Sequence, residues 1–418
     1  MCKPATRYGA RLFSAIIAVL MTNRAVLLLS LAAFASAASL RATDTLLPQL
    51  ALEFSVSAGS AASVVTAFAV SYGLLQAVYG PLGDRYGKYL TVCAATLASA
   101  LGTFACAFAP TLKVLVVARF AAGATVGALI PLSMAWIGDV IAYEQRQARI
   151  ARFALGQIFG TAFGQSLAGV LAEHFGWRAI FVVLGVLYLA VGALLLLDLR
   201  RNPLTRRSAS DATATIYADL ARMAGLFSGR WVRVVVGTVF LEGVMMFGAI
   251  AFIPLHLQRR FSLGPGAAGA MVCAYAAGGM LYALGARRFV ARLGEGGLAA
   301  GGGSIVAVGY LWLALAPTPW LSVPGILLIG VGLYMLHNTL QVNATQMAPA
   351  ARGSAVSLFA LCLFSGQSVG VWLAGKAVDA YGTAPLFVAA AIGLAVLGYV
   401  FRRLLKTRAP MHADSESA

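Results

Sequence analysis

The feature that most constrains this chain is a series of apolar runs, each about 20 residues long, separated by short polar or basic segments. A helix of about 20 residues crosses the ~30 Å hydrocarbon core of a bilayer. Inside lipid the backbone polar groups of such a run must be satisfied within it, which favours helices. The runs lie at 25–47, 60–80, 90–109, 112–134, 150–172, 177–199, 231–255, 265–286, 298–316, 322–342, 353–375 and 383–404. The sequence therefore predicts an all-α membrane protein with twelve transmembrane helices.

Composition agrees with this prediction. Hydrophobic residues make up 60% of the 418 residues and charged residues 11%, whereas a soluble domain has about 45–50% apolar and 25% charged residues. The net charge of +17 does not indicate nucleic-acid binding, because the basic residues form short clusters between the apolar runs. The cysteines show no CxxC spacing and fall mostly within apolar runs, at positions 2, 93, 106, 273 and 362. We therefore expect no disulfide, metal site or cofactor.

The first apolar run has features of a secretory signal peptide. Residues 23–39 combine a basic start, an apolar core and an Ala-x-Ala pattern at Ala35–Ala37. Its removal would leave an odd number of spans and delete the first element of an internal repeat. We therefore expect this segment to be the first span.

Lys and Arg are concentrated in the segments that follow even-numbered runs and at both ends of the chain. The positive-inside rule then places both termini in the cytoplasm. Residues 200–230 are polar and basic and divide six runs from six, so they form a linker with an expected short amphipathic helix. The predicted organisation is a six-helix half at 1–199, this linker, a second half at 231–408 and a disordered tail at 409–418.

The two halves repeat in sequence. When residues 146–181 are shifted by 206 positions, eleven of 36 residues are identical, among them Arg146/Arg352 and Gly169/Gly375. The same shift pairs Pro48 with Pro254. Repeated six-helix halves are the plan of many secondary transporters, in which substrate binds near the bilayer midplane between the halves.

Between the second and third runs the chain reads GPLGDRYGKYLTV. Six of its residues match the loop pattern G-x-L-a-D-r-x-G-r-k, and with twelve runs in two halves the chain resembles the major facilitator superfamily. Three segments, ATDTLLPQLALEF (42–54), YGLLQAVYGPLGDR (72–85) and ARFAAGATVGA (118–128), resemble drug:proton antiporters of the bicyclomycin and chloramphenicol resistance type. The chain departs from those antiporters in its fifth run, which lacks their Gly-Pro pair.

The resemblance implies a proton-coupled secondary transporter that exports small amphipathic compounds by alternating access. It also implies a monomer in the bacterial cytoplasmic (inner) membrane, with a small molecule and protons as its partners. A metabolite or sugar transporter of the same fold is an alternative, and a membrane sensor is an alternative from another class. We do not expect an enzyme, because the four histidines are far apart, at positions 174, 256, 337 and 412.

The loop GPLGDRYGK has two interpretations. Its spacing fails the phosphate-loop pattern, which needs Gly at position 82 and Ser or Thr at position 89. It is either a solvated turn or a cytoplasmic gate in which Asp84 binds an arginine of the other half, with Arg352 as the candidate. The gate residues are Gly80, Asp84, Arg85, Gly87, Lys88 and Arg352.

Charges inside a membrane are costly, at about 2.5–3.5 kcal/mol each, and mark functional sites by default. Asp44, Arg119 and Glu242 fall within runs. Glu242 lies about 16 Å from the cytoplasmic side, where desolvation favours a protonated carboxyl group. Either it carries a proton or it makes a structural hydrogen bond. Asp44 pairs either with Arg41, one turn earlier, or with Arg119, which always stays charged and modulates a nearby acid.

Several polar, aromatic and sulfur-containing residues either line a central cavity or pack between helices. His337 in addition has the chemistry to titrate near neutral pH. These cavity candidates are Tyr72, Gln76, Trp136, Gln157, Gln165, Met246 and His337.

Overall fold

The computed structural model describes residues 5–141, 143–206 and 216–407, and each regular element within those ranges is a helix. The predicted all-α membrane fold is confirmed. The expected tail at 409–418 and residues 207–215 of the linker lie outside the described residues. A short helix occupies Ile216–Gly225, within the segment for which the sequence predicts one.

Six helical spans make up the N-terminal half. Span 1 begins within the helix Ala5–Arg41 and continues through Ala42–Leu46 and Leu47–Glu53, while span 2 consists of two helices that bend by 47° at Leu75. Span 2 comprises Ala58–Leu74 and Gln76–Tyr86, span 3 Lys88–Ala107, span 4 Leu112–Val140, span 5 Tyr143–Phe175 and span 6 Arg178–Arg201.

The C-terminal half begins with span 7, Arg230–Phe261. A helix of 51 residues follows, Pro265–Leu315, and it is broken at Gly294, which adopts φ 61°. Its first part runs parallel to the helix Pro319–Gln346 and its second part antiparallel to it, as the facing pairs Gly278/Gly330, Tyr282/Asn338, Gly302/Gly332 and Gly309/Gly325 demonstrate. The chain therefore reverses direction at Gly294. Span 8 is 265–293, span 9 is 295–315, span 10 is Pro319–Gln346, span 11 is Arg352–Tyr381 and span 12 is Thr383–Leu405.

Within the described residues nine helices are long and apolar enough to cross a membrane, and the bent pair of span 2 makes a tenth. The reversal at Gly294 divides one of these helices into two spans. Span 5 is long enough at 33 residues, but Gln157 and Gln165 lower its hydropathy. With these two additions the helices correspond to the twelve predicted spans.

Spans 1 and 7 are each broken near the middle, and the repeated prolines lie just beyond the breaks. In span 1 a 3₁₀ segment, Ala42–Leu46, precedes the helix that contains Pro48. In span 7 a π segment, Gly243–Phe247, precedes the helix that contains Pro254. Proline lacks an N–H group and favours the first turn of a helix, so each proline marks the start of a new helical segment.

The two faces of the bundle differ in charge. We call one face the arginine-rich face. It holds the connections between spans 2 and 3, 4 and 5, 6 and 7, 8 and 9, and 10 and 11. The opposite face is the arginine-poor face.

Near the arginine-poor face one apolar cluster joins both halves and includes Ala61 and Val65 of the N-terminal half and Val371 and Ala374 of the C-terminal half. Gln258 also donates a hydrogen bond to the carbonyl oxygen of Thr45 at 3.0 Å. The halves are therefore closed together on this face.

Candidate functional site

Glu242 lies at the break of span 7. It is the last residue of the helix Arg230–Glu242, directly before the π segment, and about 18 Å from the start of that helix. Its side chain is fully buried, and its Oε2 atom lies 3.0 Å from Nδ1 of His337 on span 10. Its Oε1 atom has no hydrogen-bond partner among the described residues. Because π segments are frequent at functional sites, this carboxyl group is the best-placed acid of the C-terminal half.

The geometry of this pair suits proton exchange. Imidazole nitrogen either donates or accepts a hydrogen bond, and a carboxyl group does both, depending on its protonation. At 3.0 Å one proton can lie on either partner. His337 remains 19% exposed, whereas Glu242 has no exposed surface, so the histidine connects the buried acid with the space between the helices.

Asp44 lies at the break of span 1, within the 3₁₀ segment. It is fully buried, and its Oδ2 atom is 3.4 Å from both Nη1 of Arg41 and Nε2 of Gln165. Within residues 5–141, 143–206 and 216–407, its Oδ1 atom lacks a hydrogen-bond partner. Of the two partners that the sequence left open, Arg41 therefore makes the ion pair in this structure.

Arg119 on span 4 holds the other side of this break. Its Nη2 atom donates to the carbonyl oxygen of Ser39 at 3.2 Å and to Oγ1 of Thr43 at 3.3 Å. Its guanidinium lies 3.9 Å from the ring centroid of Phe68. Arg119 is buried and fixes the backbone around Asp44 through hydrogen bonds, in keeping with the structural role that its permanent charge favours.

Arg41 connects the two acidic centres across the interface between the halves. It is 4% exposed, and its guanidinium carbon lies 4.9 Å from the ring centroid of Phe247, in the π segment of span 7. The ring of Phe247 stands edge-on to His337, with centroids 6.5 Å apart. An uninterrupted series of contacts thus leads from Asp44 through Arg41, Phe247 and His337 to Glu242.

The cavity candidates divide into two groups. Gln165 and His337 contact the two acids, and the ring of Tyr72 lies 4.5 Å from Phe364 of the other half. The others pack within one half. Gln76 donates to the carbonyl oxygen of Gly127, Trp136 packs against Tyr89, Gln157 is part-buried on span 5, and Met246 lies in the C-terminal core.

A cavity of about 440 Å³ lies elsewhere, near the arginine-poor ends of spans 8 and 10. Its lining is apolar and includes Leu263, Met271, Pro319 and Trp320. None of the candidate residues lines it, and its chemistry offers no proton-binding group.

The predicted gate takes a different form from the one expected. The helix Gln76–Tyr86 ends at Gly87, where φ is 97°, a conformation that glycine adopts readily. Lys88 lies 3.3 Å from Asp84 and 2.5 Å from Asp139, so the ion pairs remain within the N-terminal half. The expected pair of Asp84 with Arg352 is not formed among the described residues, and Arg352 is exposed. In a structure closed on the arginine-poor face, we expect the arginine-rich gate to be separated.

The remaining gate residues surround this turn. A methyl group at Gly80 would meet no atom within 4 Å, and Arg85 lies over the ring of Tyr86. Of the two predicted gate glycines, Gly87 is therefore the one that its backbone conformation favours as glycine.

The sequence did not reveal that Arg41 contacts the other half, or that His337 pairs with Glu242. It also did not reveal Tyr275 of span 8, which is buried within electrostatic reach of both Arg41 and Glu242. The available signal was the density of tyrosines in spans 8, 9 and 10, since Tyr310 and Tyr334 lie within reach of Arg41 as well.

Comparison with known proteins establishes the family. The sequence profile described as "Major Facilitator Superfamily" matches residues 29–371. The chain belongs to the major facilitator superfamily. It is thus a multi-pass membrane protein of a transporter family, and the resemblance found in its loop and repeat is confirmed at that level.

One relative matches most of the chain and another matches about a third of it. An uncharacterized MFS-type transporter, YwfA of Bacillus subtilis (strain 168), is 26% identical over 388 residues, 90% of each chain. The multidrug resistance protein fnx1 of Schizosaccharomyces pombe is 32% identical over 159 residues, which are 37% of this chain and 29% of that protein.

Solved structures share the fold. A mutant of the nucleoside transporter NupG superposes with a TM-score of 0.75 at 16% identity and covers 91% of this chain and 99% of its own. The POT family transporter PepTSo gives a TM-score of 0.73 at 16% identity, covering 92% and 98%. At this identity the likeness concerns the fold alone.

Proposed function

We propose that the protein is a proton-coupled secondary transporter that exports small amphipathic compounds by alternating access. The observation that carries the proposal is the fully buried carboxyl group of Glu242, which lies 3.0 Å from Nδ1 of His337 and whose second oxygen has no hydrogen-bond partner in the part of the chain that the structure describes. An acid in this position binds a proton that a substrate can displace. A purely structural carboxyl group would be expected to have both oxygens hydrogen-bonded.

Alternating access would expose the two acids first to one side of the membrane and then to the other. The halves rock about the central site, so Glu242 and Asp44 face each side of the membrane in turn. In the present structure the arginine-poor face is closed. With this face on the outside, as the positive-inside rule predicts, the structure represents a state closed to the exterior.

The aromatic side chains around the site favour amphipathic substrates. Tyr72 and Phe364 meet across the interface, and Phe247 on span 7 is part-buried between Arg41 and His337. Aromatic side chains offer apolar surface to a bound compound, while the two acids attract positive charge. The name of the relative fnx1, a multidrug resistance protein, is consistent with this substrate class, although it matches only part of the chain.

Transport of a defined panel tests the proposal. Purified protein is reconstituted in proteoliposomes with an imposed pH gradient, and uptake of ethidium, tetraphenylphosphonium and chloramphenicol is compared with uptake of uridine, dialanine and glucose. We expect movement of at least one amphipathic compound, abolished by a protonophore and by Glu242→Gln. If the protein transports only uridine, dialanine or glucose, the proposed substrate class is wrong and the protein is a metabolite transporter. Transport insensitive to the protonophore would remove proton coupling.

A further inference from the structure

Arg41 is a buried cation shared by both halves of the protein. It ends the helix Ala5–Arg41 directly before the broken segment of span 1. On one side its guanidinium pairs with Asp44 of its own half. On the other side it lies over the ring face of Phe247 in the C-terminal half. A cation over an aromatic face is attracted by the ring, but this attraction does not replace a carboxylate in an apolar environment.

The pair of Arg41 and Asp44 is loosely held. The separation of 3.4 Å is long for a charge-assisted hydrogen bond, which is typically 2.7–2.9 Å. The same oxygen of Asp44 also accepts a hydrogen bond from Gln165, and its other oxygen has no partner in the described part of the chain. Protonation of Asp44 would remove the charge that holds Arg41 and leave the guanidinium in need of another anion.

The next acid is Glu242. The guanidinium of Arg41 lies 4.9 Å from the ring centroid of Phe247, that ring stands 6.5 Å from the ring of His337, and His337 lies 3.0 Å from Glu242. Tyr310 and Tyr334 also lie within reach of Arg41, and Arg119 lies within reach of Asp44. Asp44 and Glu242 are therefore the two carboxylates of this buried cluster with which Arg41 can form an ion pair.

We propose that Arg41 is a positioning residue that exchanges partners between Asp44 and Glu242, so that a proton bound by one acid promotes release from the other. With Asp44 ionised, Arg41 stays on span 1 and Glu242 shares its proton with His337. When Asp44 binds a proton, Arg41 moves toward Glu242 and stabilises its carboxylate, and the proton of Glu242 leaves through His337. This inference rests on the proposed function and adds the residue that links its two proton sites.

The test compares Arg41→Gln with Arg41→Lys, and uses the exposed Arg259→Gln as a matched control. Infrared spectroscopy of the solubilised protein follows the band of protonated carboxyl groups, assigned with Asp44→Asn and Glu242→Gln. We expect Arg41→Gln to retain this band at a pH at which the wild type and Arg41→Lys have lost it. Proton-driven transport should fall by about tenfold or more in Arg41→Gln, with partial rescue in Arg41→Lys.

An unchanged infrared titration in Arg41→Gln would overturn the exchange, and so would equal losses in Arg41→Gln and Arg41→Lys. The proposed function fails separately, if the wild type moves no protons with any compound of the panel. The infrared measurement needs no substrate, so it decides on Arg41 in either case.

A second inference rests on two carboxylates at the arginine-poor face. Asp379 at the end of span 11 accepts hydrogen bonds from the backbone N–H of Gly59 at 2.9 Å and from Oγ of Ser57 at 2.6 Å. Glu173 at the end of span 5 accepts one from the backbone N–H of Gly266 at 3.0 Å. Each carboxylate thus satisfies a free N–H group at the start of a helix in the other half.

These two contacts are related by the internal repeat. The shift of 206 positions converts Glu173 into Asp379, and it brings position 59 within one residue of Gly266. It also relates Gly169 to Gly375, which pack closely against Pro265 and Gly59, respectively. The same contact is therefore built twice, once from span 5 to span 8 and once from span 11 to span 2.

We infer that Glu173 and Asp379 form a symmetric latch that holds the arginine-poor face closed. The negative charge favours the N-terminal end of a helix, where unpaired N–H groups and the helix dipole coincide. Opening this face separates the halves and breaks both contacts together. Loss of one cap should shift the equilibrium toward the open form by about two- to thirty-fold.

Thiol accessibility tests the latch in detergent-solubilised protein. Ala374→Cys places a thiol at a buried position of the interface beneath Asp379, and its labelling by a hydrophilic maleimide is compared with that of the parent chain. We expect faster labelling after Asp379→Ala or Glu173→Ala and the fastest in the double variant. Glu53→Ala is the matched control, because Glu53 binds Trp177 and Arg178 of its own half.

A melting curve and a gel-filtration profile establish that each variant is folded. Unchanged labelling in the folded double variant would overturn the latch, and so would an equal increase in Glu53→Ala.

Discussion

The Nδ1 atom of His337 lies 3.0 Å from the Oε2 atom of Glu242, and the two residues are 95 positions apart in the sequence. Span 10 supplies the histidine and span 7 the acid, at the point where the α-helix of span 7 gives way to a π segment. The pair gives a buried carboxyl group a route for its proton toward the space between the helices.

Replacing the histidine should alter the pH dependence of transport more than substrate binding. His337→Gln keeps a polar group near Glu242 but removes the imidazole ring, which can bind and release a proton. We expect transport to fall by about tenfold at neutral pH and its pH profile to change shape, measured in proteoliposomes over a series of pH values. His174→Gln, at an exposed position at the end of span 5, should behave as the wild type. Identical profiles for the two variants would contradict a role of His337 in proton transfer.

Asp44→Asn should reduce stability as well as coupling. The substitution removes the anion beside Arg41. Because this pair is loosely held at 3.4 Å and Arg41 can move toward Glu242, we expect a cost of about 1–3 kcal/mol, below the cost of breaking a tightly held buried pair. We expect a lower melting temperature in a thermal unfolding assay. Asp84→Asn is the control, because exposed ion pairs contribute only about 0–1 kcal/mol. Equal melting temperatures for the two variants would show that the pair of Arg41 and Asp44 is not a stabilising contact.

The gate on the arginine-rich face can be tested by a double-mutant cycle. If Asp84 binds Arg352 in the opposite state, Asp84→Asn and Arg352→Ala should each slow transport, and the double variant should be no slower than either. Lys88→Ala is the control for the ion pairs within the N-terminal half. Additive losses, or no loss in Arg352→Ala, would leave the loop as a solvated turn.

Close helix packing explains the glycines of span 5. A methyl group at Gly160 would press against the backbone of Phe34 on span 1, whereas one at Gly138 would meet no atom within 4 Å. We expect Gly160→Ala to destabilise the protein by about 1–3 kcal/mol through overpacking. The matched Gly138→Ala should be neutral or stabilising by up to about 1 kcal/mol. Thermal unfolding of both variants provides the measurement, and the reverse order would contradict the packing.

The fold was predictable because twelve apolar runs and a repeat are signals that extend along the whole chain. The breaks within spans 1 and 7 were harder to predict from the sequence. Pro48 and Pro254 mark the start of new helical segments, but no residue pattern distinguishes the π segment at Gly243–Phe247 from an ordinary helix. The separate runs at 265–286 and 298–316 predicted a reversal between spans 8 and 9, but not its position, because Gly294, Gly296 and Gly297 are equally suited to a tight turn.

At the site, too, some residues could be predicted from the sequence and others could not. Asp44 and Glu242 stand out in the sequence because charges within apolar runs are rare. Their partners do not, because Arg41 competes with Arg119 for Asp44 and the choice depends on where the guanidinium of Arg119 points. Glu173 and Asp379 gave no signal as charges near the ends of spans, and only their positions across the interface reveal what they bind.

Proton release on substrate binding tests the central claim most directly. The transported compound of the panel is added to weakly buffered, detergent-solubilised protein, and a pH indicator follows the solution. We predict that the wild type releases protons on binding, that Glu242→Gln binds the compound without release, and that Arg259→Gln behaves as the wild type. Undiminished proton release by Glu242→Gln would contradict the assignment of Glu242 as the site where substrate and proton compete.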